Sequence, residues 1–276
     1  MHNHQKKIAV INDFCGFGRC SLAVSLPIIS AMKVQCCPLP TSIFSNHTGF
    51  ESFYSTDFTA HMNAYIEEWK KLELQFNGIV TGYLGSPEQI AIVRSFLERF
   101  KNSGTITVVD PVMGDYGKLY PSYSPKLAEQ MAALVPFADI LTPNLTEACL
   151  LTGTAYRTDM SHDELATLCQ TLSAMGPKQI VISGLERGDD LENFVFQAGK
   201  APVVIREHKV GPCRSGTGDV FSSMIAADAV NGVELTRSVK RASAFIAKVL
   251  RRALELELPK TDGLCFEEFL TEIDAL

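Results

Sequence analysis

Along the chain, short apolar runs alternate with longer segments in which apolar residues recur every three or four positions. "KIAVIN" (7–12) and "VQCCPL" (34–39) predict strands, with a helix from about Cys20 to Met32 between them. A polar loop and a helix from about Asp57 to Leu72 lead to the strand "GIVTGY" (78–83). Pro87 suits the first turn of a helix running to Phe100, and "TITVVD" (105–110) predicts the next strand. After a long Gly/Tyr/Pro loop come a helix over Pro125–Leu134 and the strand "ADILTPN" (138–144). Thr146-Glu147 opens a short helix that stops at Gly153, and a helix over Asp163–Met175 precedes "KQIVISG" (178–184). "NFVFQAG" and "PVVIREH" pair as a hairpin around Gly199-Lys200. Two helices complete the pattern, one starting near Asp219 and one over 235–256.

Strands alternating with crossover-length helices imply an α/β fold with a mostly parallel sheet covered on both faces, and an antiparallel hairpin late in the chain. No linker, repeat or low-complexity tract interrupts residues 1–276, so a single domain is expected. In such sheets ligands bind beyond the C-terminal strand ends. Polar residues gather there: Asn12 and Asp13, Thr81 and Tyr83, Asp110 and Asp115, Asn144 and Glu147, and Ser183.

Composition narrows the field of partners. With 46% hydrophobic residues and a formal charge of −6, the chain has a sizeable core and no dense basic run, which speaks against nucleic acid. No stretch reads as a membrane span or a signal peptide, so a cytoplasmic location is expected. The eight cysteines are scattered without a CxxC pair, and buried thiols are expected rather than a zinc site or disulfide framework. His2 and His4, at the extreme start, carry no metal argument.

The stretch "VGPCRSGTGDVFSSMIAADAV" (210–230) sets Gly216-Thr217-Gly218-Asp219 in front of an apolar helix. An ordinary helix capped by Ser215 or Thr217 would satisfy it. So would an anion site, in which free N–H groups at a helix start face a phosphate. The acid then needs a purpose, and phosphoryl transfer supplies one. That reaction takes a magnesium ion, charge stabilisation and a base for the attacking hydroxyl. Asp110, Asp115, Asn144 and Glu147 are candidates to hold Mg²⁺ directly or through water. The 216–218 amides would meet the transferred phosphate, and Asp219 would take the proton, kept ionised by the helix dipole. "GFG" (16–18) also invites a dinucleotide-fold reading. Ser21 stands where the third glycine belongs, and Asn46, where an acid would be sought, lies inside another motif, so that reading is set aside.

"FSNHTGF" (44–50), "TGYLGS" (81–86), "DPVMGD" (110–115), "ADILTPNLTEACLLTG" (138–153) and "GTGD" (216–219) together resemble pyridoxal kinases of the ribokinase-like superfamily. The motifs stand in family order over nearly the whole chain. The resemblance implies a three-layer αβα fold and an ATP-dependent kinase acting on the 5′-hydroxymethyl group of pyridoxal, pyridoxamine or pyridoxine. It further implies Asp219 as base and Gly216, Thr217 and Gly218 as anion hole. Asp110, Asp115, Asn144 and Glu147 match the magnesium and phosphate region, with Asp110 and Glu147 as metal ligands. Ser183, Tyr120 and Thr217 fall near the nucleotide, and Asn12, Asp13, Thr48 and Tyr83 around the pyridine. A monovalent cation such as K⁺ near the phosphates and a homodimer are implied as well.

The segment "INDFCGFGRCSL" (11–22) departs from the pattern. It is closer to hydroxymethylpyrimidine kinases of thiamine synthesis, which are the alternative; a non-catalytic vitamer-binding protein is a further one. Arg19 has no counterpart in either kinase pattern. Cys213, three residues before Gly216, is either a loop thiol or a group near the substrate aldehyde or the phosphate path.

Overall fold

A computed structural model describes residues 4–273; His2 lies outside the described residues. In chain order the strands are β1 (Lys7–Cys15), β2 (Gln35–Phe44), β3 (Ser55–Asp57), β4 (Gly78–Thr81), β5 (Ile106–Val109), β6 (Gly114–Asp115), β7 (Lys118–Leu119), β8 (Ile140–Leu141), β9 (Gln179–Arg187), β10 (Asp190–Gln197) and β11 (Val203–His208). The helices are α1 (Leu22–Ala31), α2 (Thr59–Lys71), α3 (Pro87–Phe100), α4 (Pro125–Met131), α5 (Leu145–Thr152), α6 (His162–Ala174), α7 (Thr217–Asn231) and α8 (Leu235–Glu255). Nine strands form one sheet in the order β11-β10-β9-β8-β5-β4-β1-β2-β3. Its middle, from β9 through β2, is parallel, and β3, β10 and β11 are antiparallel edges.

The apolar run of β1 is continuous because the strand is buried on both faces. Ala9 and Ile11 pack towards α2–α6, and Ile8 and Val10 towards α1, α7 and α8. Those two cores flank the sheet, giving the three layers. No helix among the described residues is long and apolar enough to cross a membrane.

The parallel core and the late hairpin agree with expectation; several boundaries do not. β1 continues past Asn12 because Phe14 and Cys15 still pair with Ile43 and Phe44 on β2, after a register shift between Asn12 and Phe14. Asn12 and Asp13 therefore lie inside a strand at a bulge, both buried, and not in a loop after it. The loop expected after Asp110 contains the β6–β7 hairpin, whose two-residue strands are too short to register as a periodicity. β8 keeps only Ile140–Leu141, and α4 tightens into a 3₁₀ turn over Ala132–Phe137, which contains Pro136.

Gln89, fully buried on α3, ties three elements together without having shown itself in the pattern. Its Oε1 accepts from the Gly85 N–H at 2.7 Å, and its Nε2 donates to the Thr41 carbonyl and the Thr59 hydroxyl, both at 2.8 Å. Gln89→Leu keeps the volume and strands these partners. Urea denaturation is expected to show a loss of about 2–4 kcal/mol, from buried groups that cost ~1–3 kcal/mol each when unpaired.

Candidate active site

The site grows from one carboxamide. Asn12 Oδ1 accepts from the backbone N–H of Asp13 at 3.0 Å and of Tyr83 at 2.8 Å, while its Nδ2 donates to Asp219 Oδ1 at 3.2 Å. One side chain thus joins the bulge inside β1 and the segment after β4 to the first turn of α7. Room for it depends on Gly82: a Cβ there would lie 2.5 Å from Asn12 Cγ.

At α7 the capping residue is Gly216, in the left-handed region at φ 84°, with no side-chain cap. Neither Ser215 nor Thr217 caps the helix; the Thr217 hydroxyl donates instead to the Arg214 carbonyl at 2.8 Å. No other residue fits at 216, because a Cβ would meet the Arg19 carbonyl oxygen at 2.1 Å. Because Gly216 supplies no capping side chain, the N–H groups at the very start of α7 suit an anion. Gly218 opens onto free space, where an added Cβ meets nothing within 4 Å. Asp219 does not sit as low as a helix dipole alone would set it. Burial pushes its pKa up to about 6, with the Asp13 charge adding and hydrogen bonds from the Ser21 backbone and Asn12 opposing. It is still ionised at neutral pH and is a stronger base for being enclosed.

The other carboxylates converge on the same rim. Burial raises the pKa of Asp110, and the charges of Glu147 and Asp219 raise it further. Burial also raises Glu147, whose two oxygens accept from the N–H groups of Met113 at 3.1 Å and Asn144 at 2.9 Å. Asn144 caps α5, its Oδ1 accepting from Glu147 N at 3.0 Å in a reciprocal capping box. Its Nδ2 donates to the Gly114 carbonyl at 2.8 Å, and Thr146 Oγ1 accepts from Gly117 N at 2.8 Å. The β6–β7 hairpin is thereby pinned on the start of α5, carrying Asp115 and leading to Tyr120. The Tyr120 phenol is pushed up by burial and by the charges of Glu147, Asp115 and Asp110. Ser183 stands next in line, bridged in parallel to Asn144, with its N–H on the Pro143 carbonyl at 3.0 Å. Mutually repelling, desolvated oxygen donors are the chemistry a hard divalent cation relieves, so the Asp110–Glu147 pair fits Mg²⁺.

On the other side lies an aromatic wall. The Tyr83 ring packs edge-on against Phe44 (6.2 Å between centroids) and Tyr123 (5.9 Å), and the Asp13 charge reaches its phenol. Thr48 is exposed on the turn after β2, whereas Phe44 is the residue of that motif that meets Tyr83. Beneath Asp13, the Cys15 thiol donates to Asp13 Oδ2 at 3.2 Å, and Cys20 completes a buried group whose polar atoms lie within 4.8 Å of one another. Scattered in sequence, these two thiols were not expected to meet.

A cavity of about 450 Å³ opens beside the loop that leads into α7, lined by Cys213, Arg214, Ser215, Tyr116, Lys209 and Lys260 among others. Tyr116, Lys209 and Lys260 carry no motif, and only the fold brings them to one opening.

A family model described as phosphomethylpyrimidine kinase matches residues 26–262. Two crystal forms of a Bacteroides thetaiotaomicron VPI-5482 protein, provisionally assigned as a phosphomethylpyrimidine kinase, are 37% identical to this chain. The first superposes with a TM-score of 0.97, over 99% of this chain and 96% of that one. The second, solved with pyridoxal, gives 0.94 over 98% and 96%. Bovine pyridoxal kinase is 32% identical over 211 residues, 67% of this chain; the match spans 64% of the bovine protein's length. A hydroxymethylpyrimidine/phosphomethylpyrimidine kinase from Rhizobium meliloti (strain 1021) is 28% identical over 256 residues, 89% of this chain and 91% of that one.

Of the eight cysteines only Cys213 is exposed. Enclosure of its sulfur and the Asp115 charge raise its pKa, while Lys260 draws it back. A disulfide reagent is expected to modify one thiol per chain ahead of the others. The rate should rise about tenfold per unit from pH 7 to 9, as the thiolate fraction does. Cys213→Ala should abolish this fast phase; a fast phase surviving in that variant would refute the assignment.

Proposed function

The chain belongs to the phosphomethylpyrimidine kinase family, and we propose that it is an ATP-dependent kinase for the 5′-hydroxymethyl group of a B6 vitamer. The observation that carries the reading is Asp219. It is an enclosed carboxylate on the first turn of a helix with no side-chain cap, held by Asn12 against the β1 bulge that bears Asp13 and the segment after β4 that bears Tyr83. The pyridine ring lies against Tyr83 and Phe44, with Asp13, and Thr48 from the neighbouring turn, addressing its polar substituents. Asn12 holds the backbone of Asp13 and Tyr83, so ring pocket and base move as one unit.

ATP occupies the rim formed by Asp110, Asp115, Tyr120, Asn144, Glu147 and Ser183. Asp110 and Glu147 would hold Mg²⁺, which would supply the positive charge that neutralises the phosphates. A monovalent cation such as K⁺ belongs to the same reading. Asp219 orients the substrate hydroxyl and accepts its proton as the new O–P bond forms and the γ-phosphorus–oxygen bond breaks, with ADP as the leaving group. The N–H groups of Gly216, Thr217 and Gly218 receive the negative charge on the transferred phosphoryl group. The reading includes a homodimer, for which Ile43, Phe53 and Tyr54 offer exposed apolar surface beside the β2–β3 edge.

The vitamer reading draws on the related Bacteroides protein, which was crystallised with pyridoxal. A second reading, hydroxymethylpyrimidine as substrate, is favoured by the family model and by Asp13 ahead of the glycine-rich turn. A panel of pyridoxal, pyridoxamine, pyridoxine and hydroxymethylpyrimidine with Mg-ATP decides between them. A vitamer is expected to give the highest kcat/KM. A lead for hydroxymethylpyrimidine supports the second reading, and no turnover of any substrate would leave a binding protein.

Asp219→Asn removes the proton acceptor at nearly constant shape. Single-turnover phosphorylation at saturating Mg-ATP is expected to slow by about 10²–10⁴-fold, with vitamer affinity little changed. Because the raised pKa lies at about 6, the wild-type rate should fall as pH drops through that value, and the variant should lose this acid limb. A variant within a few-fold of wild type would return Asp219 to the role of a helix-start acid.

A further inference from the structure

Arg19, unexplained by any motif, sits at the centre of a clasp. The glycine-rich turn 16–21 places Arg19 at φ 46°, a left-handed conformation that an L side chain adopts at a cost. Its carbonyl oxygen is wedged between two α-carbons. A Cβ on Gly216 would lie 2.1 Å from it, and one on Gly263 would lie 2.9 Å from it. The peptide carrying Arg19 thus forms the back wall of the anion-hole glycine.

What holds that peptide is the irregular segment after α8. Arg19 Nη1 donates to the Asp262 carbonyl at 3.0 Å, and its Nε donates to Glu267 at 2.6 Å. The same segment is gripped by two further loops. Arg214, in the loop before Gly216, donates to the carbonyls of Leu258 at 2.9 Å and Pro259 at 2.8 Å. His47, on the turn after β2, meets the Thr261 carbonyl at 2.7 Å. Carbonyls outside regular structure need partners, and guanidinium groups donate without accepting, so these side chains suit the task.

We infer that residues 258–267 are a clasp registering the glycine-rich turn, the ring-pocket turn and the anion-hole loop against one another, with Arg19 as the positioning residue for Gly216. The inference rests on the kinase reading for its catalytic consequence alone. Arg19 touches no reacting atom; it keeps the Gly216–Gly218 amides aimed, and an aimed donor matters most where charge develops in the transition state.

The test is Arg19→Ala, with Arg19→Lys as the conservative variant. For Arg19→Ala, kcat is expected to fall about 10–100-fold, somewhat less than deleting an anion-hole donor outright. KM and the titrated affinity for the vitamer should stay within about threefold, and Lys should restore part of the loss by regaining the Asp262 bond. Hydrogen exchange gives a readout independent of turnover: the Val220 amide, which donates to the Gly216 carbonyl at 2.9 Å, should exchange at least about tenfold faster, with the remainder of α7 unchanged. If Arg19→Ala fails to fold, Glu267→Ala loosens the same anchor and is expected to shift both readouts in the same direction. Exchange at the Val220 amide equal to wild type, or kcat within twofold of it, overturns the clasp. So does a loss spread evenly over kcat, KM and thermal stability. A wild-type protein without phosphoryl transfer would instead sink the kinase reading, while the exchange measurement still judges the clasp.

Discussion

The hydrogen bond from Asn12 to Asp219 is the contact on which the rest of the site depends. It spans 207 positions of sequence and closes the gap between the bulged centre of β1 and the start of α7. The same carboxamide accepts from two backbone amides, so it cannot rotate without stranding buried groups. Its place exists only because Gly82 lacks a side chain. The β1 bulge, the segment after β4 and the start of α7 are thereby held to a single geometry, as the proposed base would require to meet a hydroxyl at hydrogen-bonding distance.

Around that contact, electrostatics sets the working state. Asp110, Glu147 and Asp219 are withdrawn from water beside one another, and each resists ionisation for that reason. Such crowding of desolvated oxygen donors at Asp110 and Glu147 is the condition that a divalent ion would relieve. Glu147 does double duty. It completes the capping box of α5 while its second oxygen, on the Met113 amide, holds the hairpin that lies over the rim. Helix start, hairpin and acidic rim are therefore one hydrogen-bonded unit. The glycines of α7 stand opposite, offering positive potential where the phosphoryl group would pass.

Much of this was legible in the residues. Continuous apolar strands and amphipathic helices carry their own periodicity, so the parallel sheet, the late hairpin and most helix boundaries followed from local pattern. α3 starts at Pro87 and ends at Phe100 as read, and α5 runs up to Gly153. The acids and amides were found because an open parallel sheet directs attention to its C-terminal rim. Other features left no local signal. The bulge at Asn12–Phe14 depends on how β2 pairs, and the β6–β7 strands are two residues each. Gln89 looks like any polar residue in a first helical turn until its three partners from other elements are seen.

What the sequence by itself determined is whatever depends on neighbours three or four positions away: element type, layer order and the identity of the chemical groups on the rim. The motifs added a family, which the comparisons bear out. Only the tertiary structure decided which rim groups share an environment. It enclosed Asp219 and raised its pKa, gathered Cys15 and Cys20 under Asp13, and opened a cavity lined by Tyr116, Lys209 and Lys260. It also set Arg19 against the back of Gly216, where a cation without a motif acquires a partner 243 positions away. The reason is physical: desolvation, charge coupling and close approach depend on distance in space, and distance along the chain does not encode them.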